Sequence, residues 1–153
     1  MVTLVDTSER FERDLVLKLY ESGERDFRQI NLLGVNLVRL SLKRASFMKA
    51  NFRGANLRNI DLEYADLSGA RLEQAQLQGA VLDNANLWLA VLTKANLRGA
   101  SLRDAMLVGT NLQGANLQGA DLSGAGYDTS TTFPVGFDPG AAGMQQVEPT
   151  WMP

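Results

Sequence analysis

The 153-residue chain contains neither cysteine nor histidine. Without cysteine there are no disulfides, no thiolate nucleophile and no thiolate ligands for a structural zinc. Without histidine the side chain that most often moves protons near neutral pH is gone. Long apolar runs are also missing: the longest is six residues, Leu87 to Leu92, far short of the roughly 20 that span a bilayer as a helix. No basic segment followed by an apolar run opens the sequence, so no secretory leader is expected and the plain address is cytoplasmic. Nor is there a Gly-x-x-x-x-Gly-Lys-Ser/Thr phosphate loop. Together these gaps argue against an enzyme and leave no cofactor or metal to expect.

What is present is a repeat. From Phe27 to Leu122 every fifth residue is Leu or Phe, seventeen times Leu and three times Phe (Phe27, Phe47, Phe52). Two positions before each of these anchors the residue is Ala in fourteen of twenty cases, and the residue between them is most often Asn, Asp or Ser. Gly recurs after the anchors, and Ala115 to Gly119 reads Ala-Asn-Leu-Gln-Gly. A five-residue period suits neither an amphipathic helix nor a long strand. In extended backbone, residues two apart share a face, so anchor and Ala point inward while the others point out. The residues that follow then turn the chain, which favours Gly and Asn because they tolerate positive φ. One such winding cannot bury its inner face alone, so windings must stack as a solenoid.

On these residues the chain resembles the pentapeptide repeat proteins, in particular the small cyanobacterial ones. The resemblance covers about two thirds of the sequence. It implies an all-β solenoid, a right-handed quadrilateral β-helix of about five coils with four pentapeptides in each. Residues 25–125 are expected to form it. Residues 1–24 are expected to form an N-terminal capping helix: Thr7 or Ser8 can cap it, Glu9 and Glu12 suit its first turn, and Phe11, Leu15 and Leu19 make a stripe with Val16 and Tyr20 beside it. Gly23 is its natural stop. The first winding has Arg25, Ile30, Val35 and Leu40 where later ones have Ala, which suggests a wider coil that receives the helix. Residues 126–153 are read as a cap and a loose tail, with Tyr127 at the twenty-first anchor position, Phe133 and Phe137 over the open end, and Gln145 to Pro153, including Trp151, free.

Charge bears on function. The repeat from Arg25 to Ala125 has twelve basic and eight acidic residues, a balance of +4, while residues 1–24 and the tail from Gly126 are each −3. Members of the resembled family that protect DNA gyrase from quinolones imply an acidic rod that mimics DNA. A mildly basic rod disfavours that function, which stands as the alternative. The cations crowd toward the N-terminal half (Arg39, Lys43, Arg44, Lys49, Arg53, Arg58) and fall on different sides of a four-sided coil, as a belt with few aromatic neighbours, so nucleic acid is not the expected partner. Lys43 and Glu63, and Asp83 and Arg103, lie twenty residues apart and are expected to pair between coils. The neighbouring carboxylates Asp61, Glu63, Asp66 and Glu73 fall on a convex surface where water is not excluded, which leaves them without catalytic prospects beyond a weak hard-cation contact.

The unusual surface is apolar. At outward positions the chain places Trp88, Leu89, Val91, Met106 and Val108, with Met48 on the same side two coils earlier. Such a patch marks a candidate surface for a protein partner or for self-association. The expected function is a rigid, non-catalytic protein-binding or scaffold module.

Overall fold

The computed structural model describes residues 12–148. Its backbone is a stack of turns joined by single parallel bridges between residues twenty apart. The bridges form four ladders. The first runs Asp26, Ser46, Asp66, Asn86, Met106, Gly126 and the second Asn31, Asn51, Arg71, Val91, Asn111, Thr132. The third runs Asn36, Asn56, Gln76, Asn96, Asn116 and the fourth Ser41, Asp61, Val81, Ser101, Asp121. Each winding is thus four-sided.

One unit shows why the sequence does this. The Leu57 N–H donates to the Gln76 carbonyl in the next winding (2.7 Å), and the Gln76 N–H donates back to Ala55 (2.9 Å). Between sides the chain closes a tight turn, Ile60 N–H to the Leu57 carbonyl (3.2 Å), with Asn59 at φ 55°. The residue two after every anchor from Phe27 to Leu122 has a positive φ, which is why Gly is favoured there. The ladder residue supports the same turn: the Oδ1 of Asn or Asp accepts the backbone N–H two residues on, as Asn86 does for Trp88 (3.1 Å) and Asp66 for Ser68 (3.0 Å). Such local side-chain bonds satisfy turn donors that no ladder reaches.

The anchors and small residues fill one continuous core in which Leu57 through Leu112 are buried. Phe27 stacks on Phe47 (5.2 Å between ring centroids) and Phe47 meets Phe52 edge-on (5.1 Å). At the first winding lies helix α1, Arg13–Glu21. Val16 is its buried residue, and Leu17, Leu19 and Tyr20 pack beside it. Leu15, expected on the buried stripe, is instead 43 % exposed; the helix meets the core one residue further round, on Val16 and Tyr20. Phe11 and the expected caps Thr7 and Ser8 lie outside the described residues, and Glu12 stands at the N-cap. The helix ends as the sequence suggests, with Gly23 at φ 100° and bonds from Gly23 N–H to Tyr20 (3.0 Å) and Glu24 N–H to Leu19 (3.0 Å), the Schellman closure. Arg13 donates to the Val38 carbonyl (3.0 Å) and the Tyr20 hydroxyl to that of Lys43 (3.1 Å), both on the first winding.

At the other end β1 (Gly126–Tyr127) pairs in parallel with β2 (Gln145–Gln146). Tyr127 meets Phe133 edge-on (5.5 Å) and Phe133 stacks on Phe137 (5.1 Å). The tail therefore departs from the loose segment expected from Gln145 onward: Gln145 donates to Ala125 (2.9 Å) and Val147 to Tyr127 (2.8 Å), continuing the first ladder. Residues 149–153, with Trp151, lie outside the described residues. Among the described residues no helix is long and apolar enough to cross a membrane.

Candidate protein-binding surface

The ladders decide where each outward residue stands. Residues 88 and 89 form the turn between the first and second ladders, in line with Met48 and Lys49, Ser68 and Gly69, and Val108 and Gly109 of neighbouring windings. Trp88 is 38 % and Leu89 48 % exposed. Leu89 occupies the left-handed region, φ 56°, where a residue with a Cβ carries a cost of roughly 1–2 kcal/mol. Its column neighbours on both sides are glycines. A Cβ on Gly109 would stand 2.6 Å from Leu89 Cδ2, so the leucine branch occupies space that any other residue at 109 would claim. Val91 and Met106 are half-buried beside this turn, on the second and first ladders; Met48, also half-buried, stands in the same column two windings earlier, beyond Ser68.

Val108 does not belong to the exposed group: it is only 7 % exposed. The chain inserts one extra residue after Tyr127, so that Asn111 pairs with Thr132, twenty-one residues on. The longer Asp128–Thr131 turn closes over the row that contains Val108. Thr131 Oγ1 donates to the Leu107 carbonyl (2.8 Å), and Asp128 Oδ1 accepts the Gly109 N–H (3.4 Å) and the Ser130 hydroxyl (2.6 Å). The Ser130 hydroxyl, above all, holds the Asp128 carboxyl below its usual range. Sequence periodicity could not show this, because the covering turn lies where the repeat fails. The described tail extends the stack below Met106, with Val147 near Gly126, and leaves Trp88 and Leu89 open.

Tyr64, an exposed aromatic that the repeat pattern did not single out, stands on the turn between the fourth and first ladders with the Arg44 guanidinium over its ring (4.5 Å). Around that turn the charges are paired. Lys43 bridges Asp61 (3.2 Å) and Glu63 (2.9 Å), and Arg103 bridges Asp83 (2.7 Å), so the two twenty-residue pairs expected from sequence are present. Asp83 is the more enclosed: burial opposes its charge, yet the Ser101 hydroxyl and the Arg103 side chain and N–H outweigh this and hold its carboxyl below the usual range. Glu73 is held by Arg71 (3.1 Å), and Asp66 by its own turn. Among the described residues no cluster of carboxylates could hold a metal ion.

The family model for pentapeptide repeats matches residues 26–63, 60–93 and 89–124, in eight copies. No curated protein matches the chain. Among solved structures, a pentapeptide repeat protein from Nostoc PCC 7120 is 37 % identical, with 89 % of this chain and 96 % of that one covered, at a TM-score of 0.61. A pentapeptide repeat protein from the cyanobacterium Cyanothece 51142 is 32 % identical, covering 78 % of this chain and 97 % of its own, with a TM-score of 0.64. HetL, a pentapeptide repeat protein involved in heterocyst differentiation regulation in Nostoc sp. strain PCC 7120, is 32 % identical over 82 % of this chain, at a TM-score of 0.52. The present chain spans 57 % of HetL.

Proposed function

This chain belongs to the pentapeptide repeat family, whose known structures are right-handed β-helices, and from that premise we propose that it is a non-catalytic, rigid protein-binding or scaffold module. In this reading residues 25–125 make a right-handed rod of about five coils, residues 1–24 cap one end through α1, and residues 126–153 finish the other. Exposed stack edges invite unwanted pairing, and the bonds from Arg13 and Tyr20 to carbonyls of the first winding support a capping role for α1.

The observation that carries the binding surface is the Trp88–Leu89 turn. Two large apolar side chains stand exposed together, and Gly109 in the next winding leaves the room that the Leu89 branch occupies. Aromatic and aliphatic anchors on a rigid base bind with little loss of conformational freedom, with Val91 and Met106 beside the turn and Met48 two windings away on the same side as further apolar surface. DNA mimicry is the poorer fit, because the cations of the rod outnumber its acids.

The test is affinity capture from a lysate of the source organism, with the Trp88→Asp, Leu89→Asp double variant beside the wild type and light scattering to fix the mass of each. Capture of a protein, or of a second copy, by the wild type alone supports the surface. Identical behaviour of both as unpartnered monomers contradicts it.

A further inference from the structure

The third ladder is the one side without a carboxylate; the second, which shares its asparagine pattern at Asn51 and Asn111, carries Glu73. No Asp or Glu occurs in residues 34–39, 54–59, 74–79, 94–99 or 114–119, the stretches that build this side and its edges, whereas Arg39, Arg58, Lys94 and Arg98 do. All four are exposed and none is in an ion pair with a described residue. Asp61, Asp83, Asp104 and Asp121, in contrast, stand on the fourth side or its turns.

The ladder's own side chains add to this. Asn36, Asn56, Asn96 and Asn116 each use Oδ1 to accept the backbone N–H two residues on, at 3.2, 3.4, 3.1 and 3.0 Å. That bond fixes which end of the amide is oxygen, since a backbone N–H cannot donate to an NH₂ group. Each Nδ2 is left with two hydrogens and no acceptor among the described residues. The side therefore offers fixed amide donors on four of five windings, at about 4.8 Å per winding with Gln76 between them, and Arg58 and Arg98 two windings apart, on the order of 10 Å, Arg58 steadied by its Nε–H bond to Asn56 Oδ1 (3.1 Å). Donors and guanidiniums without a competing carboxylate are complementary to anions.

We propose that this side docks an extended polypeptide segment rich in Asp and Glu. A strand presents alternate side chains on one face about every 6.5–7 Å, wider than the roughly 4.8 Å between windings, so its carboxylates return to register with the donors about once in three windings and reach the cations between through their flexible side chains. A nucleic acid fits less well: the exposed aromatics Tyr64 and Trp88 stand on other turns, so bases have nothing here to stack on, and four cations neutralise too few phosphates for strong backbone binding.

The experiment is fluorescence anisotropy of a dye-labelled oligoglutamate of about ten residues at low salt, where surface electrostatics are least screened. Wild type is compared with the Arg58→Ala, Arg98→Ala double variant and, as a charge-matched control, the Lys49→Ala, Arg44→Ala double variant. The proposal requires saturable binding to wild type, at least about tenfold weaker binding for the first variant, near wild-type binding for the control, and unchanged melting for all three. No binding, an equal loss in both variants, or tighter binding of labelled oligothymidylate than of oligoglutamate would overturn it.

Discussion

At position 89, as at ten other turn positions without glycine, the repeat gives up stability. Leu89 sits at φ 56° where Gly stands in the windings before and after, and its half-exposed side chain recovers only part of what the backbone costs. Leu89→Gly is therefore expected to change stability by less than about 1 kcal/mol, while reducing partner capture; a thermal melt beside the capture assay checks both. In Gly109→Ala the added Cβ pushes the Leu89 branch aside from a residue itself at φ 68°, and a loss of about 1 kcal/mol is expected by the same measurement. Asp83 gives a pH prediction. Its carboxyl is held below its usual range in the folded chain, so the stability it contributes is complete above the unfolded value of about 3.9 and disappears as pH falls through the lower folded value. Asp83→Asn should flatten the acid side of the stability profile below about pH 4, and urea midpoints measured against pH would show it. The anchors and the Lys43–Glu63 and Asp83–Arg103 pairs were legible in the sequence because the period alone determines them. The burial of Val108 was not, since it depends on the one-residue insertion after Tyr127.

At the scale of elements, α1 shows how far local pattern reaches. The sequence located the helix and its Gly23 stop, but placed its buried stripe on Leu15, because a stripe at four-residue spacing does not reveal which of two adjacent columns meets the core. Val16 does, and it is fully enclosed. Val16→Asp would bury a charge with no partner and is expected to cost about 3 kcal/mol or more. If α1 covers the first winding, this variant also forms higher-mass species that light scattering detects; a monomer with unchanged melting would contradict that. The final ladder segment, β2, was missed for a different reason. Gln145–Gln146 carries neither anchor nor Ala, and only its pairing with Gly126–Tyr127 brings it into the stack.

For the whole molecule, four ladders around one core explain why outward chemistry can differ from side to side without disturbing the interior. The Trp88–Leu89 turn, the paired charges around Tyr64 and the amide donors of the third side share the same buried columns. The crowding of cations in the N-terminal half could be counted in the sequence. Their division, with Lys43 paired to carboxylates on one turn and Arg58 bonded only to Asn56 on another, became visible only once the ladders assigned each residue to a side. The account rests on those columns acting as one rigid unit, and Leu77, 1 % exposed at the middle of the stack, tests it most directly. The measurement is circular dichroism with thermal melting of Leu77→Lys beside the wild type. A lysine there buries a charge among apolar anchors, so loss of the β signal and collapse of the transition are predicted. An unchanged spectrum and melting point would contradict the account.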